Sequence, residues 1–155
     1  MGNNPSGFKG DNLPVEQVSW DDIQTYLQKL NAKTGKQYRL PTEAEWEVAC
    51  YAGSKTEYGY CGGIDANAVA WYDGNSGDKT HPVGQKQANG YGLFDMSGNV
   101  WEWMSDCYDG NCGRRVLRGG SWSFGTGDSR AALRLSNSPY YRYFYFGFRV
   151  ARTLP

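Results

Sequence analysis

"NGYGLFDMSGNVWEW", residues 89–103, sets turn chemistry and large apolar side chains against each other within a few letters. Asn89-Gly90 and Ser97-Gly98-Asn99 favour turns, because glycine and asparagine adopt positive φ at little cost. "WEW" at its end reads as packing. Upstream the pattern turns helical. Ser19 followed by Asp22 makes an approximate capping box, and Ile23, Tyr26, Leu27 and Leu30 recur at helical spacing until Gly35 offers a stop. A second helix starts at Thr42, whose hydroxyl faces the amide of Glu45, with Trp46, Ala49 and Cys50 as its buried stripe before Gly53. Glu43, Glu45 and Glu47 crowd its first turns, where the helix dipole favours negative charge, so they need no catalytic explanation. Downstream, "YDGNSGD" and "CYDGNCG" are turns between short apolar pieces such as "VLRGGSW" and "GFRVA". The reading is α+β: two helices, short and mainly antiparallel strands, and long loops, in a single domain over residues 1–155.

Composition excludes several functions. Sixteen basic and sixteen acidic side chains cancel, so no field attracts nucleic acid. No run approaches the roughly 20 apolar residues of a membrane helix, and the chain reads as soluble. The one histidine, His81, leaves no Ser/His/Asp set near the acids. Cys50, Cys61, Cys107 and Cys112 match no zinc spacing; free thiols are the default, with a small Cys107–Cys112 loop as the alternative.

Taken with "YRLPTEAEWEVAC" before it and "RVLRGGSW … GFRVAR" after it, the opening stretch resembles the formylglycine-generating enzyme (sulfatase-modifying factor) domain. Together with "LPVEQVSWDD" these blocks span nearly the whole chain. The resemblance implies the C-type-lectin fold in its formylglycine-generating enzyme subclass. It also implies a calcium site, with Asp95, Gly98, Val100 and Glu102 as ligands; oxygen donors suit that hard cation, and no other cofactor is required. Members that are oxidases hold copper with two cysteines. Here those positions carry Phe124 and Ser129, and neither a phenyl nor a hydroxyl replaces a thiolate on Cu(I). The chain is therefore expected not to be an enzyme.

Residues 123–146, "SFGTGDSRAALRLSNSPYYRYFYF", lack Lys, Glu, Gln, Met and Trp, types that form roughly a quarter of the chain up to Trp122. Composition alone gives that gap a chance of roughly two in a thousand. Those five amino acids are the ones no pyrimidine-ending codon encodes, and AAY codons randomised at both adenines give the repertoire found. The pattern is similar to the variable proteins of diversity-generating retroelements, which rewrite a C-terminal repeat on a C-type-lectin scaffold.

That resemblance places a variable region at about 122–149. Its display positions are Ser123, Phe124, Gly125, Gly127, Asp128, Leu133, Leu135, Ser136, Tyr140, Tyr141, Tyr143, Phe144, Tyr145 and Phe146, about two thirds of them exposed. Tyrosine brings area and a polar tip with few torsions to freeze, and serine and glycine adapt around it. If "YYRYFYF" is a strand instead, alternate rings enter the core, either Tyr141, Tyr143 and Tyr145 or Tyr140, Phe144 and Phe146. Arg130, Arg134 and Arg142 are read as ties to the scaffold and Trp122 as buried beneath the face. The expected function is a monomeric, receptor- or adhesin-type binder of a macromolecular ligand, a protein, with no nucleic acid partner, displayed on a cell or virus surface. An oxidase of the sulfatase-modifying type and a calcium-dependent sugar-binding lectin are the alternatives.

Overall fold

Two capping boxes start the two long helices of the computed structural model, which describes residues 3–53 and 59–153. The elements in chain order are α1 (Trp20–Thr34), β1 (Tyr38–Arg39), α2 (Glu43–Tyr51), α3 (Ala66–Val69), β2 (Ala70–Trp71), α4 (Asp73–Ser76), β3 (Ser97–Gly98), β4 (Trp101–Tyr108), β5 (Asn111–Arg118), β6 (Arg134–Asn137), β7 (Phe146–Gly147) and β8 (Ala151–Arg152). At α1 the Asp22 amide donates to Ser19 Oγ and the Ser19 amide to Asp22 Oδ2; at α2 Thr42 and Glu45 exchange the same pair of bonds. Each acidic cap residue is gripped by an arginine fork. Arg142 holds Asp22 at 2.6 and 2.7 Å, and Arg39 holds Glu45 at 2.6 Å twice. These forks hold both carboxyls down at about 2.

The strands form a curled, mixed sheet in the order β6-β5-β4-β7. β5 runs antiparallel to both β4 and β6, and β7 lies parallel to β4. β1 pairs antiparallel with β8, and β2 lies parallel to β3. The parallel pairs, α3, α4 and a 3₁₀ turn at Thr126–Ser129 add to the expected two helices and antiparallel strands.

Alternation along β4 and β5 divides the core in two. Trp101, Trp103 and Leu117 join Ile23 and Leu27 of α1 with Val18, Leu40 and Phe146. Met104 and Val116, on the other face, join Trp46 and Cys50 of α2 with Cys61, Met96 and Ala131. A strand residue and its neighbour point to opposite faces, so one hairpin serves both clusters. Trp20 and Trp103 send their indole N–H groups to the carbonyls of Met104 and Val18 at 2.9 and 3.0 Å.

The cysteines correct the free-thiol expectation, because all four are paired, as Cys50–Cys61 and Cys107–Cys112. The second bridge closes the hairpin tip, the alternative left open by the "CYDGNC" spacing. The first had no local signal: it exists because packing against α2 brings Cys61 to Cys50 inside the second cluster.

Replacing Cys50 and Cys61 together by alanine is expected to cost about 2 to 3 kcal/mol, the scale of a short closed loop, read as a lower denaturant midpoint. Acid provides a second test. A carboxylate with a depressed folded pKa contributes stability above its unfolded value and loses it as pH falls through the folded one. The helical circular dichroism of the wild type is therefore expected to weaken from about pH 4 down to about pH 2. Asp22→Asn should remove part of that transition while lowering stability at pH 7.

Candidate functional site

From Ser123 to Phe146 the chain crosses the top of the first core cluster, and the scaffold holds it by its carbonyl oxygens. Arg118, only 1 % exposed, ends β5 and donates to the carbonyls of Ala131, Ala132 and Leu133 at 3.0, 3.1 and 3.0 Å. Ser97 Oγ donates to Ser129 O at 2.9 Å and Arg114 to Ser136 O at 3.1 Å. Trp122 Nε1 reaches Phe144 O at 3.1 Å. Four scaffold amides complete the set: Asp73 N to Phe124 O, Asp21 N to Pro139 O, Gln17 N to Tyr143 O and Trp101 N to Tyr145 O, at 2.8 to 3.3 Å. Ten carbonyls of the segment are thus bound by donors outside it. Every residue has a carbonyl, so these bonds do not specify the side chains they position.

The turn that launches the segment is fixed by a close approach. Gly120 sits at φ 76° with Ser129 packed against it, and a Cβ there would lie 2.6 Å from Ser129 Cα. Only glycine fits that position.

The rings above this backbone form a continuous run. Tyr140 meets Tyr141, Tyr141 meets Tyr143 and Tyr143 meets Tyr145, with centroids 4.9, 5.8 and 5.1 Å apart and the last pair within 3° of parallel. Tyr145 then meets Phe124 edge-on at 5.1 Å, and Phe124 meets Trp101 at 6.0 Å. Phe144 lies over Trp122, which is buried as expected. Neither strand alternative for "YYRYFYF" holds. Only Phe146 enters a strand, while Tyr140, Tyr141 and Phe144 are exposed and Tyr143 and Tyr145 are half-buried.

Of the fourteen expected display positions, five are exposed: Gly127, Leu133, Tyr140, Tyr141 and Phe144. Ser123, Phe124, Gly125, Asp128, Leu135, Tyr143 and Tyr145 are half-buried, and Ser136 and Phe146 are buried. This falls short of the expected two thirds. Phe146 pairs with Trp101 in the sheet and packs edge-on against Trp103 at 5.2 Å, so it is core. Ser136 is an inward residue of β6 opposite Val116. Phe124, Leu135, Tyr143 and Tyr145 converge on the first core cluster.

The arginines divide as well. Arg134 ties to Glu43 and Asp109, and Arg142 to Asp22, whereas Arg130 is exposed and makes no ion pair among the described residues. The arginine that organises the segment is Arg118, which the sequence reading missed. Its signal was a charged residue directly after the apolar "VL" of a strand.

Of the expected calcium ligands, Asp95, Val100 and Glu102 line one cleft of about 410 Å³, and Gly98 is not part of that lining. Asp95 Oδ1 is buried without a hydrogen-bond partner among the described residues, an acceptor that a cation would satisfy, and burial pushes the Asp95 carboxyl up. Glu102 is already engaged: Trp46 Nε1 reaches it at 2.7 Å and Arg149 forks onto it at 2.6 and 2.8 Å. Two carboxylates face one guanidinium, so the cleft has negative charge to spare, and an ion there would share Glu102 with Arg149. Phe124, expected from the resemblance to replace a copper-binding cysteine, is a packed ring. Ser129 is buried, with no hydrogen bond to its hydroxyl among the described residues.

The chain matches the sulfatase-modifying factor enzyme 1-like domain over residues 2–154. It is 34% identical to the chaperone protein LppX of Paenibacillus barcinonensis, covering 79% of this chain and 63% of that one. It is 38% identical to the inactive C-alpha-formylglycine-generating enzyme 2 of Bos taurus, covering 90% and 50%. Thus it spans about half to two thirds of the length of these curated relatives. The solved structure of Treponema denticola variable protein 1 superposes with a TM-score of 0.88 at 31% identity, covering 98% of this chain and 78% of that one.

Display and core positions should separate in stability measurements. Replacing Tyr140, Tyr141 and Phe144 together by serine is expected to cost less than about 2 kcal/mol, as surface changes do. Phe146→Ala alone should cost about 3 to 5 kcal/mol, as a cavity beside Trp103 requires. Equal losses in urea melts would return the whole run of rings to the core.

Proposed function

The chain belongs to the family of sulfatase-modifying factor enzyme 1-like domains, and from that premise we propose that it is a non-catalytic binder, a variable protein of the diversity-generating type. Its aromatic face grips a protein partner, as a receptor or adhesin does, through about 800 Å² per side if the interface is of standard size. One observation carries this reading: the scaffold binds ten backbone carbonyls of the segment, an arrangement that keeps its shape when the side chains change. Glycine, serine, tyrosine and phenylalanine dominate the positions left free, a repertoire suited to contact.

The absence of catalysis rests on ligand chemistry. Phe124 and Ser129 offer copper no thiolate, and all four cysteines are tied in disulfides. The disulfides also suit display outside a reducing compartment. No helix among the described residues is long and apolar enough to cross a membrane, so display would depend on something other than those helices. Calcium belongs to the proposal as a structural ion held by Asp95, the carbonyls of Gly98 and Val100, and Glu102, its role being to neutralise the cleft. The domain acts as a monomer in this reading.

Three measurements decide these points. Incubation with copper and a cysteine-containing peptide should yield no oxidised product, and turnover would end the non-catalytic reading. Millimolar calcium should raise the melting temperature over chelated protein by a few degrees; identical melts would remove the ion. Sequencing the flanking DNA should find a near-copy of the stretch encoding residues 122–149, with adenines where the two differ, beside a reverse transcriptase gene.

A further inference from the structure

The run of rings has carboxylates at both ends. Asp21 donates its amide to Pro139 O, next to Tyr140, and its own carboxylate is exposed. Asp73 donates its amide to Phe124 O at the far end of the run and is exposed as well. Asp128, half-buried in the 3₁₀ turn after Phe124, adds a third acid. None of the three makes an ion pair among the described residues, in a molecule where Asp22, Glu43, Glu45 and Glu102 all do.

The cation inside the run is already neutralised. Arg142 lies between Tyr141 and Tyr143 in sequence, and its Nε and Nη2 both donate to the Asp22 carboxylate. Lys9, beside the Phe8 ring that touches Trp122, is turned to the carbonyl of Asn4 at 2.9 Å. Arg130, at the end of the 3₁₀ turn, is the exposed cation nearest in sequence to Asp128. The Tyr145 phenol adds no charge of its own, since burial and the neighbouring Tyr143 push its hydroxyl further above neutral pH.

Ring faces are electron-rich, and a guanidinium or ammonium placed over one is attracted to it. Carboxylates at the ends of the track extend that preference and would repel an acidic partner. We infer that the surface gripped by this face is basic: a polypeptide segment carrying arginine or lysine, laid along the run from Tyr140 toward Phe124 with its cations over the exposed rings of Tyr140 and Tyr141 and against Asp21 and Asp73. This rests on the binding-face reading above and adds the chemistry of the partner to it.

The test uses short fluorescent peptides of equal length and aromatic content, one rich in arginine and lysine, one in glutamate and aspartate, one neutral. Anisotropy is read with the whole chain at low and high salt. The basic peptide is expected to bind at least tenfold tighter than the other two, and to weaken as salt screens the acids. Asp21→Asn with Asp73→Asn should weaken it roughly tenfold at an unchanged melting temperature, a loss that salt reproduces in the wild type. Tyr140→Ser with Tyr141→Ser should remove binding. A neutral or acidic peptide held as tightly, and lost with the tyrosines, would overturn the basic preference and leave the binding face standing. Failure of the basic peptide to bind also overturns the preference. Binding of the basic peptide that ignores the tyrosines would overturn both.

Discussion

Arg118 is the contact on which the arrangement of the upper surface depends. It is buried, its guanidinium lies 4.9 Å from the Trp46 ring, and its donors are spread over three successive carbonyls. Burying a charge is expensive unless its hydrogen bonds are satisfied. Three backbone acceptors, with Glu47 at 3.4 Å and Glu43 at 3.6 Å, supply partners to its two terminal nitrogens, while Nε has none among the described residues. The same bonds compel residues 131–133 to follow one path, whatever those residues are. Gly120, Ser97 and the Trp122 indole act likewise on their own stretches of the segment.

The helices are tied into this surface through shared side chains. Asp22 accepts from the Ser19 amide with Oδ2 to cap α1 and holds Arg142 with both oxygens of the same carboxylate, so the start of the helix and the aromatic run are one electrostatic unit. The amide of Asp21, one residue earlier, fixes Pro139. A surface exposing large rings would collapse onto its own rings or neighbours if its backbone were free. Here the half-buried layer of Phe124, Tyr143 and Tyr145 on the first core cluster supports Tyr140, Tyr141 and Phe144 above it.

Some of the molecule was legible from local patterns. Both long helices were, because a capping box is a contact between residues three apart. The fold subclass was legible because its sequence blocks lie in order along the chain. The Cys50–Cys61 bridge was not, since no spacing rule pairs two cysteines that only the packing of α2 brings together. Nor was the sorting of "YYRYFYF": its letters fitted either a display face or a strand with alternating faces, and a single pairing at Phe146 and carbonyl bonds at Tyr143, Phe144 and Tyr145 take the place of a ladder.

The sequence by itself determined the class of fold, the helix starts, the cancelled charge and the restricted alphabet of residues 123–146, because each is a property of short-range order or of counting. Tertiary structure alone decided which rings face water, which cysteines join, and which carboxylates remain without a cation. Those outcomes depend on distances between residues far apart in the chain, such as Asp22 and Arg142 or Arg118 and Ala131. Such distances are set only when the hairpin, the two helices and the anchored segment close around the same core.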